Sequence, residues 1–252
     1  MQKKGQLTLF VVLGVVLVIL VALMVYYRAS ITETVSKNIL NRNVALPREV
    51  KEVQDRVQRC VEANSIITLY YLGEQGGILV PSPDNSFMND NLAVAYGYDK
   101  GKNVLPALVD FRREFSNSMN DFLPGCLASG DFGKLNVQGK EPSTSVDFLD
   151  DKVMVSVDYP ITVNQGETTF NIDDPYEVEY PLRVKFLHGL ADGIVKRTIS
   201  DPKNIDVSYL VGLGIKVDIY PFDNKTFVYS LEDSKSVYRN VTYNYRFAVR
   251  YK

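Results

Sequence analysis

Residues 152–159 read KVMVSVDY, and this stretch decides the class of fold expected for the C-terminal half of the chain. Val153, Val155 and Val157 alternate with Met154, Ser156 and Asp158. A period of two is typical of a strand with one buried face. Segments 134–138 and 145–149 alternate in the same way, and the doublet Asp150-Asp151 suits a tight turn between strands. We therefore predict a mainly antiparallel sheet here.

Strand patterns continue to the C-terminus, with one interruption. Over 182–199 the apolar period changes from two to three or four, which predicts a helix. The turn-forming stretch Pro221–Asn224 predicts a hairpin tip. Region 131–252 is thus expected to be mainly β with one helix, and its later strands are predicted at 207–210, 214–220, 226–231 and 243–251.

The region 47–130 is expected to be largely helical. After Pro47 an amphipathic stripe predicts a helix that ends at Gly73 and the pair Gly76-Gly77. A second helix is predicted from about Val104 to Pro124. Between them, 78–83 and 92–98 are predicted as short strands around a polar loop. The stripe of the first helix consists of Val50, Val53, Val57, Cys60, Val61, Ile67 and Tyr71.

Cys60 and Cys126 are the only cysteines, and they lie 66 residues apart. Their spacing matches no metal-binding motif, and His188 is the only histidine. A disulfide between two packed helices is the favoured interpretation, and it would imply an oxidising compartment. Two buried free thiols are the alternative.

The N-terminal stretch from Leu7 to Val25 reads LTLFVVLGVVLVILVALMV and carries no charge. As a helix it would span about 28 Å, close to the hydrocarbon thickness of a bilayer. Tyr26 and Tyr27 follow, as interfacial aromatic residues would. We predict a transmembrane helix over 6–27. A secretory signal peptide is the alternative, although its apolar region would be shorter.

The orientation of this segment is decided by features beyond it. Two lysines precede the apolar run and a similar number of basic residues follows it, so the positive-inside rule is nearly balanced. The expected disulfide favours an extracellular body. The sequons at Asn224 and Asn240, candidate N-glycosylation sites, favour the same placement. We therefore expect a single-pass protein of the cell membrane, with a cytoplasmic N-terminus and an extracellular C-terminal domain.

The motif Lys3-Lys4-Gly5-Gln6, followed directly by the apolar run, resembles the class III signal of archaeal type IV pilins and pilin-like proteins. The resemblance covers about 25 of the 252 residues. It implies that a prepilin peptidase cuts between Gly5 and Gln6 and removes the basic leader, 1–5. The apolar helix would remain as membrane anchor and assembly spine. Phe10 occupies the position where the bacterial pattern has Glu, a residue that archaeal members often lack.

Residues 28–46 connect this helix to the body of the protein. A helical stripe continues to about Ala45, so the first helix could extend into a pilin-like spine roughly 60 Å long. The polar residues around Asn41 are equally compatible with a flexible linker. The expected fold class is accordingly α+β, with an N-terminal transmembrane helix followed by an ectodomain of amphipathic helices and mainly antiparallel sheet.

Composition and motifs narrow the classes of function. The chain has 252 residues, a net charge of −2 and 46% hydrophobic residues, which argues against a disordered protein or a general nucleic-acid binder. There is no G-x-S-x-G or H-E-x-x-H motif, and the polar loop 84–91 lacks the register of a calcium-binding EF-hand. We expect no catalytic, metal or cofactor site and classify the chain as a non-enzyme.

Tyrosine is abundant, with 16 Tyr, 12 Phe and no Trp. Packing within the sheet is the favoured explanation, and an adhesive aromatic face is the alternative. The expected function is a membrane-anchored, pilin-like structural or adhesive protein of the cell surface. Its partners would be the lipid bilayer, copies of itself or other pilin-like subunits, and prepilin peptidase. The alternatives are a monomeric single-pass receptor or binding module and, less favoured, an anchored hydrolase.

Overall fold

The computed structural model describes residues 46–89 and 92–251 of the chain. Within these ranges the fold is α+β, with four helices and twelve strands. The helices are α1 (Arg48–Glu74), α2 (Leu108–Ala128), α3 (Val184–Ser200) and α4 (Val207–Gly212). The third of them occupies the segment where the change of period predicts a helix.

The strands form three sheets. The largest sheet contains β1 (Ser86–Asn89), β2 (Leu92–Asp99), β3 (Lys102–Asn103), β10 (Lys216–Pro221), β11 (Thr226–Tyr238) and β12 (Val241–Arg250). A second sheet contains β4 (Asn136–Gly139), β7 (Ile161–Gln165) and β8 (Thr168–Ile172). The third contains β5 (Ser143–Phe148), β6 (Val153–Asp158) and β9 (Tyr176–Tyr180).

The large sheet combines distant parts of the sequence. Its order is β1-β2-β12-β11-β10, with β3 also paired to β2. Strand β12 runs parallel to β2, with Ala248 opposite Tyr96, whereas the other described pairs are antiparallel. Strand β2 comes from the region 47–130 and β12 from the region 131–252. The two regions therefore share one sheet, and Glu49–Lys252 is a single compact unit.

Glycines bring the end of α1 against β12. A Cβ atom at Gly73 would lie 2.3 Å from the carbonyl oxygen of Asn244, so only glycine permits this approach. Just beyond the helix, Gly77 adopts a φ of 95°, and its N–H donates to the carbonyl of Leu72 at 2.7 Å. This hydrogen bond satisfies a helix-terminal carbonyl while the chain turns away.

Aromatic side chains fill the space between the helices and the large sheet. Tyr243, Tyr245 and Phe247 alternate along one face of β12, and all three are buried. From α2, Phe111 stacks on Tyr245 with ring centroids 5.8 Å apart. The sheet-packing interpretation of these tyrosines is therefore confirmed. Burial raises the pKa of both tyrosine hydroxyls well above the ordinary value, because the charged form would lose its hydration.

The strand that KVMVSVDY predicts is β6. Val153, Val155 and Val157 are at most 1% exposed, and they alternate with more exposed neighbours. Strand β6 pairs with β5 and β9, and both pairs are antiparallel. Helix α2 lies beside this sheet, where Arg112 Nε donates to the carbonyl oxygen of Val146 at 3.2 Å. The alternation of the sequence thus corresponds to one buried face.

The predicted fold class is wrong in one respect: it includes an N-terminal transmembrane helix. None of the helices in 46–89 and 92–251 is long and apolar enough to cross a membrane. The longest of them, α1, cannot cross a membrane because it carries charged residues along its exposed side. The segment for which the transmembrane helix is predicted, 6–27, lies outside the described residues, as does the extension over 28–45.

Two local predictions are also wrong. Segment 207–210 is helix α4 and not a strand, because Asp206 caps it: the Asp206 carboxylate accepts the N–H of Tyr209 at 2.9 Å. Segment 78–83 contains no strand, and the strand β1 follows it in the stretch predicted as a loop. Pro81 and Pro83 have no N–H to donate, which disfavours a ladder there.

Candidate functional site

A disulfide between Cys60 and Cys126 joins α1 to α2. The two Cα atoms are 6.5 Å apart. Contacts on either side show that the helices are antiparallel: Arg56 Nη2 donates to Ser129 Oγ at 3.2 Å, and Asn64 Nδ2 lies 3.3 Å from Met119 Sδ. The predicted disulfide is confirmed, and the alternative of two free thiols is wrong.

Asn240, the acceptor residue of one sequon, is exposed at the tip of the β11–β12 hairpin. Tyr238 pairs with Val241, so Arg239 and Asn240 form a two-residue turn. Both turn residues have positive φ, 48° and 65°, as a type I′ turn requires. The hydroxyl of Tyr70 on α1 donates to the carbonyl of Val241 at 2.7 Å and holds the tip against the helix.

Asn224, the acceptor residue of the other sequon, is exposed in the turn between β10 and β11. Here the backbone is held tightly. The Asp223 carboxylate accepts the N–H groups of Lys225 and Thr226, both at 2.6 Å. These hydrogen bonds lower the pKa of Asp223, because they stabilise the charged form. The two sequons thus lie at opposite ends of β11.

Exposed apolar side chains gather beside the Asn224 turn. Phe222 packs on Phe87 of β1 with ring centroids 4.6 Å apart, and it remains 39% exposed. Tyr220, two positions before Phe222, is 46% exposed. We call Phe87, Tyr220 and Phe222 the aromatic tip. Rigid aromatic side chains supply contact area at little cost in conformational entropy, so this surface is the best candidate for adhesion among the described residues.

Asp99 and Arg250 close the far end of the parallel β2–β12 pair. The guanidinium donates to both carboxylate oxygens, at 2.7 and 3.0 Å, and lies over the ring of Tyr96. Hydrogen bonding to Arg250 lowers the pKa of Asp99 below its ordinary value of 3.8, because the partner favours the charged carboxylate.

Replacing this carboxylate should change the acid sensitivity of the fold. A lowered pKa in the folded state stabilises the protein above the unfolded-state pKa, and this contribution disappears as the pH falls through the folded-state value. Asp99→Asn should therefore reduce the free energy of unfolding by about 1 kcal/mol at pH 7 and by much less near pH 3. Urea denaturation at both pH values measures this. An equal loss at both would contradict the assignment.

One cavity among the described residues has a volume of about 710 Å³. It lies between α3 and α4, with Tyr229 and Leu210 among its lining residues. Arg197 at its rim already pairs with Asp206 at 2.8 Å and stacks over Tyr209 at 3.9 Å. Because Arg197 already has these partners, we assign it to the packing of α4 on α3 and not to the binding of an anion.

A second cavity, of about 560 Å³, lies below the loop that precedes β1. Its lining includes four carboxylates, and three of them, Asp99, Asp110 and Glu114, have partners within the fold. The Asp110 carboxylate pairs with Arg113 at 2.7 Å and accepts the N–H of Ala107 at 3.0 Å, and the Glu114 carboxylate accepts the N–H of Leu79 at 3.3 Å. This cavity therefore has the character of a solvated groove around a helix start.

His188 is a packing residue in α3. One ring nitrogen lies 2.8 Å from the carbonyl oxygen of Pro106, and the ring meets Phe111 and Tyr245 edge-on. No nucleophile is described beside it. In the part of the chain that the structure describes, no three His, Cys, Asp or Glu side chains form a group that could hold a metal ion.

The predicted cleavage site, Gly5 and Gln6, lies outside the described residues. Sequence analysis missed the aromatic tip, because Phe87 and Phe222 are 135 positions apart in the sequence and only the tertiary fold brings their rings into contact. The turn at Pro221–Asn224 was the available signal, since exposed aromatic residues flank it.

Comparison with protein families, with characterised proteins and with solved structures found no match for this chain.

Proposed function

We propose that the chain is a cell-surface structural or adhesive protein, held at the membrane by its apolar N-terminal segment and assembled in a pilin-like manner. The observation that carries the proposal is the Cys60–Cys126 disulfide. Disulfides persist in oxidising environments and are rare in the cytosol, so this one favours a body outside the cell.

The N-terminal sequence gives the proposal its pilin-like form. The motif Lys3-Lys4-Gly5-Gln6 precedes an uncharged apolar run, Leu7 to Val25. If a prepilin peptidase removes the leader, the apolar run becomes the first segment of the mature chain. Copies of it could then pack together, with Gly14 allowing close approach of neighbouring segments.

The folded body supports a mechanical or adhesive role better than a catalytic one. The disulfide joins two long helices near their exposed sides, and such a crosslink limits how far they can separate under load. The aromatic tip offers exposed contact area at one end of β11. By contrast, Arg197 is paired with Asp206 at one cavity, and Asp110 is paired with Arg113 at the other.

The N-terminus of the mature protein tests the proposal most directly. When the full chain is produced together with a prepilin peptidase, mass spectrometry should find an N-terminal peptide that begins at Gln6. A bulky replacement of the residue before the cut, Gly5→Leu, should block cleavage. Gly14→Ala, a change at a glycine remote from the cut, is the matched control and should leave cleavage intact. A mature chain that begins at Met1 or Gln2 would contradict the proposal.

A monomeric anchored receptor or binding module is the second candidate, because the aromatic tip would serve it equally well. Negative-stain imaging of detached surface filaments, with antibody against this chain, separates the two. Label along filaments supports a subunit. Label confined to the cell envelope, in cells that carry the processed chain, supports a solitary receptor.

A further inference from the structure

We propose that Asn240 is a site of N-linked oligosaccharide attachment that the folded protein presents, and that the same fold withholds Asn224. The inference rests on the proposed extracellular placement, because both sequons would otherwise never meet the glycosylating enzyme. Both asparagines are exposed. The difference between them lies in the threonine two positions later and in how firmly the backbone is held.

The threonine of a sequon must be reachable, because the enzyme contacts its hydroxyl while the asparagine reacts. Thr226, which belongs to the Asn224 sequon, is only 4% exposed. Thr242, which belongs to the Asn240 sequon, is half-buried on β12. Only the Asn240 sequon therefore has both of its recognition groups at the surface of the folded protein.

The backbone around the Asn224 sequon is fixed from three directions. Asp223 accepts two N–H groups of the turn, the Phe222 N–H donates to the carbonyl of Thr226 at 3.0 Å, and the Tyr251 N–H donates to the carbonyl of Lys225 at 2.9 Å. Behind the turn, the β11–β12 ladder continues without interruption from Thr226 to Glu232. Opening this sequon would require breaking many hydrogen bonds together.

Fewer backbone hydrogen bonds hold the turn that carries Asn240. An irregularity interrupts the ladder between Glu232 and Val237, so only the pairs Val237–Thr242 and Tyr238–Val241 lie beyond it. Arg239 occupies the left-handed region, which is unfavourable for a residue with a Cβ atom. Short terminal ladders open with a small free-energy cost, so this tip can fray while the core of the sheet stays folded.

The chemistry at Asn240 is a glycosyl transfer from an oligosaccharide linked to a polyprenyl phosphate. The side-chain amide nitrogen attacks C1 of the first sugar, and a new C–N bond forms. The bond from C1 to the phosphate oxygen breaks, and the polyprenyl phosphate leaves with the bonding electrons. The amide nitrogen gives one proton to a base of the enzyme. The structure of the tip allows this, because the Asn240 side chain projects from a turn into solvent.

A purified single-subunit oligosaccharyltransferase and its lipid-linked oligosaccharide test the inference without reference to localisation. The substrate is the full chain in detergent, with the disulfide intact. Intact mass and glycopeptide mapping should show one oligosaccharide per chain, at Asn240. Asn240→Gln and Thr242→Ala should each lower total occupancy at least tenfold. Asn224→Gln, the matched control, should leave occupancy unchanged. The reduced and unfolded chain should accept oligosaccharide at both sequons.

Tyr70→Phe separates a fraying tip from a permanently open one. This change removes the hydroxyl that holds the carbonyl of Val241 and leaves the aromatic ring in place. If the hydrogen bond from Tyr70 to Val241 opposes opening of the turn, its loss should speed modification at Asn240 about fivefold. Modification of the folded chain at Asn224, or no modification of the folded chain at Asn240, would overturn the inference. A chain that starts at Met1 yet accepts oligosaccharide at Asn240 would overturn the pilin-like processing alone.

Discussion

Replacing Cys60 and Cys126 together by serine should lower the free energy of unfolding by about 4 kcal/mol. The crosslink closes a loop with a sequence separation of 66 residues, and its removal gives the unfolded chain far more conformational freedom. The native contacts between α1 and α2 should survive, because Asn64 and Met119, like Arg56 and Ser129, meet independently of the sulfur atoms. Urea denaturation of the full chain in detergent, monitored by circular dichroism, measures this loss of stability.

The control for this prediction is the wild-type chain under reducing conditions, which loses the crosslink but keeps both side chains. It should be destabilised by nearly the same amount as the double serine variant. If the double variant and the reduced chain both unfold at the same urea concentration as the oxidised wild type, the crosslink contributes nothing to stability, and the prediction fails.

Gly77→Ala should destabilise the fold by a comparable amount, about 4 kcal/mol, for two local reasons. Gly77 has a φ of 95°, a backbone conformation that residues with a Cβ atom rarely adopt. In addition, the new Cβ atom would lie 1.9 Å from a ring carbon of Phe111, so the aromatic core would have to shift. Thermal and urea denaturation both measure the loss.

The matched control is Gly166→Ala in the turn between β7 and β8. Gly166 also has a positive φ, 61°, but a Cβ atom there would meet nothing within 4 Å. This variant should lose only about 1 kcal/mol, which isolates the cost of backbone conformation. If Gly77→Ala were no worse than Gly166→Ala, the close packing of Phe111 on this turn could not be correct.

The local periodicity of the sequence is enough to predict β6 and α3. Val153, Val155 and Val157 have a period of two because one face of the sheet is buried, and the segment at 182–199 changes period because one side of a helix is buried. The hairpin at Asn224 follows from Pro221 and Asp223, since their backbone preferences act locally. The disulfide could be predicted because only two cysteines were available to pair.

Features that depend on contacts between distant residues could not be predicted from local sequence patterns. The short alternating segment 207–210 is equally compatible with a strand or a turn of helix, and the Asp206 cap decides between them. The parallel pairing of β2 with β12 leaves no local pattern, because each strand alone reads as an ordinary strand. The contact of Phe87 with Phe222 and the burial of Thr226 also depend on residues that are far apart in the sequence, so no local pattern predicts them.

The position of β12 also governs when the body can fold during synthesis. Asp99 and Arg250 are partners 151 residues apart, and the strand that carries Arg250 is the last of the described strands to be synthesised. Until it arrives, β2 lacks its parallel neighbour and the end of α1 lacks the strand on which Gly73 rests. Contacts at such sequence separation form slowly, since a long loop must close before any of them is made. A nascent chain should therefore remain incompletely folded until β12 has been synthesised.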